Sequence, residues 1–372
     1  MRVLFAAGGT GGHIYPALAV ANEVMRRDRA SVVRFVGTAR GLETRLVPQA
    51  GYELSLIESA GLVNMGLRAR LRGLTILPKS LLAARRLIGE FRPDAVVGAG
   101  GYVSGPVLLV AALRRVPTLI MESNAVPGFT NRQLIRFVRA AAASWEATLP
   151  YFGRKGVVTG NPVRREFFDI PAKPRDPARF SLLLFGGSQG ARAVNEAMCA
   201  ALPLLAPQRA VLRITHQTGK LDFERVRAAY DAAGWTQQAD VREYIDDMVT
   251  AFANADLIIS RAGATTSAEL AAAGRTAIMI PLPGQLEQQR NAEVLQEAGA
   301  ARMILQPELT GARLAQEIAA LVAAPARITA MEQAVRKFAR PDAAAATVDL
   351  IEKLSAISGQ LSAKTEKLKA DR

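Results

Sequence analysis

The chain has 372 residues, more than one hydrophobic core ordinarily organises, so two domains are expected. A single cysteine, Cys199, excludes an intramolecular disulfide framework and a Cys-rich metal site, and two histidines are too few for a His-based one. The net charge of +14 favours anionic partners, but 6% aromatic content without a zinc-finger or RNP-like pattern argues against nucleic acid as a partner.

Short apolar runs alternate with helical patterns from the start. "RVLFAA", "VVRFVG", "ELSLIE", "DAVVG", "PTLIM" and "AAASW" read as strands, with helices expected over 16–27, 74–90 and 105–114. The uncharged run 95–113 is long enough to cross a bilayer. Its Gly98, Gly100, Gly101, Gly105 and Pro106 fit a strand, a loop and a helix better. "TGNPVRREFFDIPAKPRDP" reads as a linker, after which the pattern restarts at "FSLLLFGGSQGARAVNEAM". Two doubly wound α/β halves follow, each with a glycine turn after its first strand.

The first turn, "AAGGTGGH", combines glycines, a helix start and His13, the one titrating group there. Free N–H groups at a helix N-terminus make an anion site. A dinucleotide fingerprint fails, because Ile14 stands where its last glycine belongs and no carboxylate closes the second strand. A tight turn without a ligand is the plain alternative. The second turn, "GGSQGA", offers Ser188 as a hydroxyl donor and lacks the lysine of a P-loop. "SRAGATTSAEL" places Thr265, Thr266 and Ser267 at a helix start, with Glu269 expected in its first turn. That carboxylate either answers the helix dipole or accepts from two adjacent ribose hydroxyls. In "IPLPGQLEQQRNAE", Gln288, Gln289 and Asn291 suit sugar hydroxyls or an ordinary polar helix start. From Ser59 to Gly89 there is no acidic residue, while Arg68, Arg70, Arg72, Lys79, Arg85 and Arg86 mix with Ile76, Leu77, Leu81 and Leu82. Such a segment fits an anionic lipid surface, or a core helix with a solvated basic face.

Taken in order, "GGTGGHIYPALAVA", "GGYVSGP", "GNPVR", "GGSQGAR", "HQTGK", "YIDDM", "RAGATTSAELAAAG" and the "PLP…QQ.NA" loop resemble the MurG family, over roughly residues 1–350. These murein N-acetylglucosaminyltransferases have a GT-B fold, two Rossmann-like doubly wound domains facing across a cleft. The resemblance implies transfer of GlcNAc from UDP-GlcNAc to the C4 hydroxyl of the muramyl sugar of lipid I. Transfer would proceed with inversion, as a peripheral enzyme at the cytoplasmic face of the bacterial inner membrane. It implies no metal and no other cofactor, and an anionic membrane surface as a partner.

It divides the chain into an acceptor and membrane-docking domain over 1–163 and a UDP-GlcNAc domain over 164–340. A helix over 341–356 packs back on the first domain, and a flexible basic tail covers 357–372. In the donor site, Arg164 and Ser188 would face the diphosphate, and Ile245 would touch uracil through its backbone. Glu269 would hold the ribose, and Ala264, Thr265, Thr266, Gln288 and Gln289 the remainder. Thr10, Gly11, Gly12 and Asn124 would complete the donor site from the first domain, and Gly101, Tyr102 and Ser104 would meet the acceptor.

A sugar hydroxyl needs a base as it attacks, and His13 is the first candidate, with Glu122 the second. The family's His-Glu-Gln-Asn pattern is "MESN" here, from Met121 to Asn124, so a histidine at that point is not required. The loop after Pro283 is shorter than the family's, which leaves open which glutamine meets the sugar. The rivals are a transferase for another lipid acceptor such as diacylglycerol, a UDP-GlcNAc epimerase, and a non-catalytic nucleotide-sugar binder.

Overall fold

The computed structural model describes residues 1–59 and 67–370, with side chains described outside 60–75 and 357–372. The chain folds as two compact units, Met1–Val163 with Arg340–Arg372, and Arg164–Ala339.

The first unit is built on strands β1 (Arg2–Ala7), β2 (Val32–Gly37), β3 (Glu53–Leu56), β4 (Ala95–Gly100), β5 (Thr118–Glu122), β6 (Ala140–Ala143) and β7 (Gly156–Val158). They form one sheet in the order β3-β2-β1-β4-β5-β6-β7. Every pairing is parallel, from Arg2↔Val32 at β1–β2 to Ala143↔Val158 at β6–β7. Helices cover both faces, which is why β1 after Arg2 and all of β5 are buried on successive residues rather than alternating. One face is packed by Phe5, Phe35, Ile14, Ala17, Ala21 and Val24, the other by Leu4, Val96, Ile88, Leu108 and Phe91. Val348 and Ile351 of the closing helix Ala343–Ala370 join the first of these layers. Arg27 ties that helix down through Asp349 and Glu352.

The second unit uses β8 (Phe180–Phe185), β9 (Leu212–Gln217), β10 (Ala239–Arg242), β11 (Leu257–Ser260), β12 (Ala277–Met279) and β13 (Ala301–Met303). Their order, β10-β9-β8-β11-β12-β13, repeats the winding of the first sheet and is again parallel. Both units are thus Rossmann-like, as a GT-B protein requires.

One expected boundary moves, and one expected division holds. The first helix is Gly11–Arg27, so it begins five residues before Pro16. Proline there removes only an early-turn hydrogen bond, and Ile14, Ala17, Ala21 and Val24 already set the buried stripe. The uncharged run 95–113 divides into β4, a glycine loop and the helix Ser104–Leu113, which rules out a single span.

Candidate functional site

In an open parallel sheet, ligands bind beyond the carboxyl ends of the strands where the winding reverses. In the first unit that point lies between β1 and β4. The loops leaving these strands touch. A Cβ on Gly101 would run into the carbonyl of Gly8, and one on Gly100 into the His13 ring. Both glycines have positive φ, +79° and +116°, which few other residues tolerate.

His13 is the third residue of the first helix, and its Nδ1 lies 3.1 Å from Gly8 O. A carbonyl only accepts, so Nδ1 is the donor, and in the neutral ring Nε2 is then the nitrogen without a hydrogen. Thr10 is the N-cap, and the N–H groups of Gly11 and Gly12 open the helix without intrahelical partners. Tyr102 is exposed on the neighbouring loop, and its carbonyl accepts from Ser59 Oγ at 2.9 Å.

Two assignments from sequence change here. Ser104 is fully buried, its hydroxyl lying 2.8 Å from Ala6 O and 2.7 Å from Gly100 O while accepting Gly100 N–H. It fixes the loop and has no surface with which to meet an acceptor. Glu122 is also buried, at the end of β5. One oxygen accepts from Asn124 N and Nδ2, at 3.0 and 3.1 Å. The other accepts from Gly128 N and Asn131 Nδ2, at 3.0 and 2.8 Å. Burial pushes this carboxyl up, and these donors oppose it. With both oxygens occupied, Glu122 organises the turn that carries Asn124 and is not a free base.

In the second unit the winding reverses between β8 and β11, and a cavity of about 660 Å³ opens there. Its wall includes Gly187 and Gly190 of the second glycine turn, Arg261 and Gly263 after β11, Thr266 and Gln288. Gly263 caps the helix Ala264–Ala273, so the N–H groups of Ala264, Thr265 and Thr266 point outward from its start. Thr265 Oγ1 is buried and has no hydrogen-bond partner among the described residues. Ser188 is exposed at the tip of the glycine turn.

Gln217 holds this arrangement from behind. Its Nε2 donates to Gly187 O at 2.9 Å, and its Oε1 accepts from Ile245 N at 2.8 Å. The Ile245 N–H is therefore taken, and a backbone contact from Ile245 to a base narrows to its carbonyl. Gly190 packs on Thr218, whose carbonyl would overlap any Cβ there. His216, in the same motif, is fully buried between Tyr230 OH at 3.1 Å and Asn195 Oδ1 at 3.0 Å. Burial pulls its pKa down to about 3, so it stays neutral and structural.

Glu269 sits in the second turn of its helix, not the first, because the helix starts at Ala264. The dipole explanation of this carboxylate loses its force, since that field falls off within a turn. Burial pushes the Glu269 carboxyl up to about 7, against the pull of Arg164. Gln288 Oε1 accepts from Leu282 N at 3.0 Å, which leaves its amide nitrogen for a ligand. Gln289 donates to Glu293 at 2.8 Å and is not part of the cavity wall.

Comparison with known proteins fits this geometry. Residues 3–143 match the glycosyltransferase family 28 N-terminal domain, and residues 181–347 the glycosyltransferase family 28 C-terminal domain. A UDP-N-acetylglucosamine--N-acetylmuramyl-(pentapeptide) pyrophosphoryl-undecaprenol N-acetylglucosamine transferase from Anaeromyxobacter sp. (strain Fw109-5) is 46% identical over 358 residues, 95% of this chain and 93% of that protein. The crystal structure of Acinetobacter baumannii MurG superposes with a TM-score of 0.81 at 36% identity, covering 95% of this chain and 99% of that one. The chain belongs to the MurG family. A UDP-GlcNAc 2-epimerase from Neisseria meningitidis shares the fold alone, with a TM-score of 0.68 at 14% identity, over 95% of this chain and 100% of that one. As a MurG-family member the protein is a glycosyltransferase.

Three site residues have no role assigned from the sequence, although Gln217 and Arg261 lie within the motifs "HQTGK" and "RAGATTSAELAAAG". Glu43 lies beyond the end of β2, in "GTARGLE", yet its carboxylate reaches back to Gly9 N at 2.9 Å. Gln217 is the last residue of β9, and its bonds to Gly187 and Ile245 join residues far away in sequence. Arg261 is half-buried in the cavity wall, 3.2 Å from the carbonyls of Ile280 and Pro281 and 2.8 Å from Gln306 Oε1. No carboxylate pairs with it among the described residues, so it leaves the cavity positive. For a MurG-type donor with a diphosphate, that sign is the useful one.

Proposed function

We propose that the protein transfers N-acetylglucosamine from UDP-GlcNAc to the C4 hydroxyl of the lipid-linked muramyl sugar of lipid I, with inversion, giving lipid II and UDP. Membership of the MurG family supports the substrates. The observation that carries the chemistry is the hydrogen bond of His13 Nδ1 to Gly8 O, beside an open helix N-terminus, which in the neutral ring turns Nε2 into the basic nitrogen.

In this reading the second unit holds the donor. Glu269 accepts from the ribose hydroxyls and the Ile245 carbonyl from the base. The turn at Ser188, the helix start Ala264–Thr266, Arg164 and Arg261 surround the diphosphate, and Gln288 meets the sugar. Thr10, Gly11 and Gly12 offer N–H groups to the acceptor's phosphate side and, with Asn124, to the donor, while Gly101 and Tyr102 shape the acceptor face. His13 Nε2 takes the C4 hydroxyl proton as that oxygen attacks the anomeric carbon. The bond from that carbon to the β-phosphate oxygen breaks, and UDP leaves with the electron pair. Fixed N–H dipoles and cations stabilise the charge that grows on it. UDP release by the purified protein should depend on added lipid I. Consumption of UDP-GlcNAc without an acceptor would support an epimerase and overturn this reading.

The acceptor is lipid-anchored, and no single described helix is long and apolar enough to cross a membrane. We propose docking at the cytoplasmic face of the inner membrane through the basic helix Leu67–Phe91 and the segment before it. Lys79, Leu82, Arg85 and Arg86 are exposed on that helix, whereas Ala84, Leu87, Ile88 and Phe91 are buried. The segment 60–66 and the side chains of Arg68, Arg70 and Arg72 lie outside the described residues. Each cation near an anionic leaflet contributes about 1 kcal/mol. Binding should therefore require anionic vesicles and weaken with salt. Reversing Arg68, Arg72, Arg85 and Arg86 to Glu together should abolish it while sparing activity on a short-chain soluble acceptor. Co-sedimentation of that variant at the wild-type level would place the docking face elsewhere.

A further inference from the structure

Glu43 opens the short helix Glu43–Gln49 and is fully buried beside the first glycine turn. Its Oε2 accepts from Gly9 N at 2.9 Å, and its Oε1 accepts from Thr38 N and Thr38 Oγ1, each at 2.9 Å. The space for this carboxylate comes from glycines in two stretches of chain, Gly8 in the first turn and Gly37 and Gly41 in "GTARGLE". A Cβ on Gly8, Gly37 or Gly41 would each collide with the Glu43 side chain. None of these three has positive φ, so no backbone strain requires glycine there. The same segment grips Gly9 a second time, through Leu42 N to Gly9 O at 3.2 Å.

The Gly8–Gly9 peptide group is thereby held at both ends. Its N–H donates to Glu43, and its carbonyl receives His13 Nδ1–H. An amide whose N–H faces a carboxylate is polarised, which makes its carbonyl a stronger acceptor. We propose that Glu43 is a positioning residue for transfer, acting on His13 through this one peptide group. It does at one remove what a buried aspartate does directly to the histidine of a hydrolase triad. It keeps the tautomer with Nε2 bare and stabilises the imidazolium formed when Nε2 takes the acceptor proton. Glu43 itself touches no substrate and exchanges no proton.

The inference rests on the reading of His13 as the base, and a double-mutant cycle separates the two. Glu43→Gln keeps the volume and loses the charge. It should lower kcat by about tenfold to a hundredfold, the effect of losing a hydrogen bond to a charged group, and leave UDP-GlcNAc affinity unchanged. In a His13→Ala background the same change should cost less than about twofold, because nothing remains for it to act upon. Gly41→Ala, which keeps the carboxylate and displaces it, should reproduce the kcat loss. An equal loss from Glu43→Gln in both backgrounds would overturn the inference and leave His13 as base. Wild-type turnover in His13→Ala alone would overturn both, and it is seen before Glu43 is touched.

A readout free of turnover is the nitrogen-15 spectrum of the imidazoles, simple because the chain has only two histidines. His13 should show protonated Nδ1 in the wild type and a mixture of tautomers in Glu43→Gln, with His216 unchanged as the internal reference. An unaltered His13 tautomer in a folded Glu43→Gln variant would also contradict the proposal.

Discussion

The two glycine turns, after β1 and after β8, occupy the same place in two sheets of the same winding, yet they are backed by opposite chemistry. Behind the first stands a buried carboxylate, Glu43, and beside it an imidazole on Gly8 O. Behind the second stands a neutral amide, Gln217, with the guanidinium of Arg261, which has no carboxylate partner among the described residues, in the cavity wall. A carboxylate behind the second turn would oppose a diphosphate in the adjoining cavity. An amide can brace two backbone groups without adding charge. A carboxylate behind the first turn instead favours a positive imidazole, which is what a base becomes when it works. The winding supplies a ligand crevice twice, and on the proposed reading the residue behind each loop suits the first to carry a base and the second to face the donor diphosphate.

That contrast can be broken from either side. The largest effect belongs to the first turn. His13→Ala should lower kcat by about 10²–10⁴, the usual contribution of a general base, in a steady-state lipid I assay. Unchanged turnover would remove the imidazole from the chemistry. Next comes Glu269→Ala, which should weaken UDP binding by about tenfold to a hundredfold, since two ribose hydroxyls lose a charged acceptor. Calorimetry giving wild-type affinity would take Glu269 out of the donor site.

A smaller change should follow Gln217→Leu, which leaves Gly187 O and Ile245 N without their shared partner. Donor affinity should fall roughly threefold to tenfold with kcat little altered. A fall in kcat at constant affinity would show the brace serving the chemistry instead. The smallest effect is a proton count. The Glu269 carboxyl titrates near pH 7 in the free protein, raised by burial. Ribose hydroxyls donate best to its ionised form, so binding pulls its pKa down and releases part of a proton around neutral pH. Donor affinity should then fall as the pH drops below about 7. Calorimetry in buffers of different ionisation enthalpy should show this release in the wild type and none in Glu269→Gln. Identical enthalpies in all buffers would mean that the carboxyl does not face the ligand.

Much of the fold was legible because parallel strands buried on both faces leave continuous apolar runs, as in "RVLFAA" and "FSLLLF". Glycine turns then mark where each winding begins. His13 stands out in the sequence for a similar reason, as the one titrating residue within a glycine turn, and its role as base remains the proposal. What was hidden depends on contacts distant in sequence. Glu43 lies 34 residues from Gly9, and its meaning comes from the glycines that make room for it. Gln217 lies 28 residues from Ile245 and looks like any strand residue. Ser104 and Glu122 misled for the converse reason. Their motifs announce polar side chains at strand ends, but only the folded chain shows which hydrogen bonds already occupy them.

The division of labour between the two turns is tested most directly by rapid-quench single turnover on His13→Ala and Glu269→Ala in parallel, with enzyme in excess over lipid I and UDP-GlcNAc titrated to saturation. His13→Ala should slow the chemical step at saturating donor and keep the wild-type donor concentration for half-saturation. Glu269→Ala should shift that concentration upward and approach the wild-type step once saturated. A shifted half-saturation in His13→Ala with the chemical step intact would contradict the account.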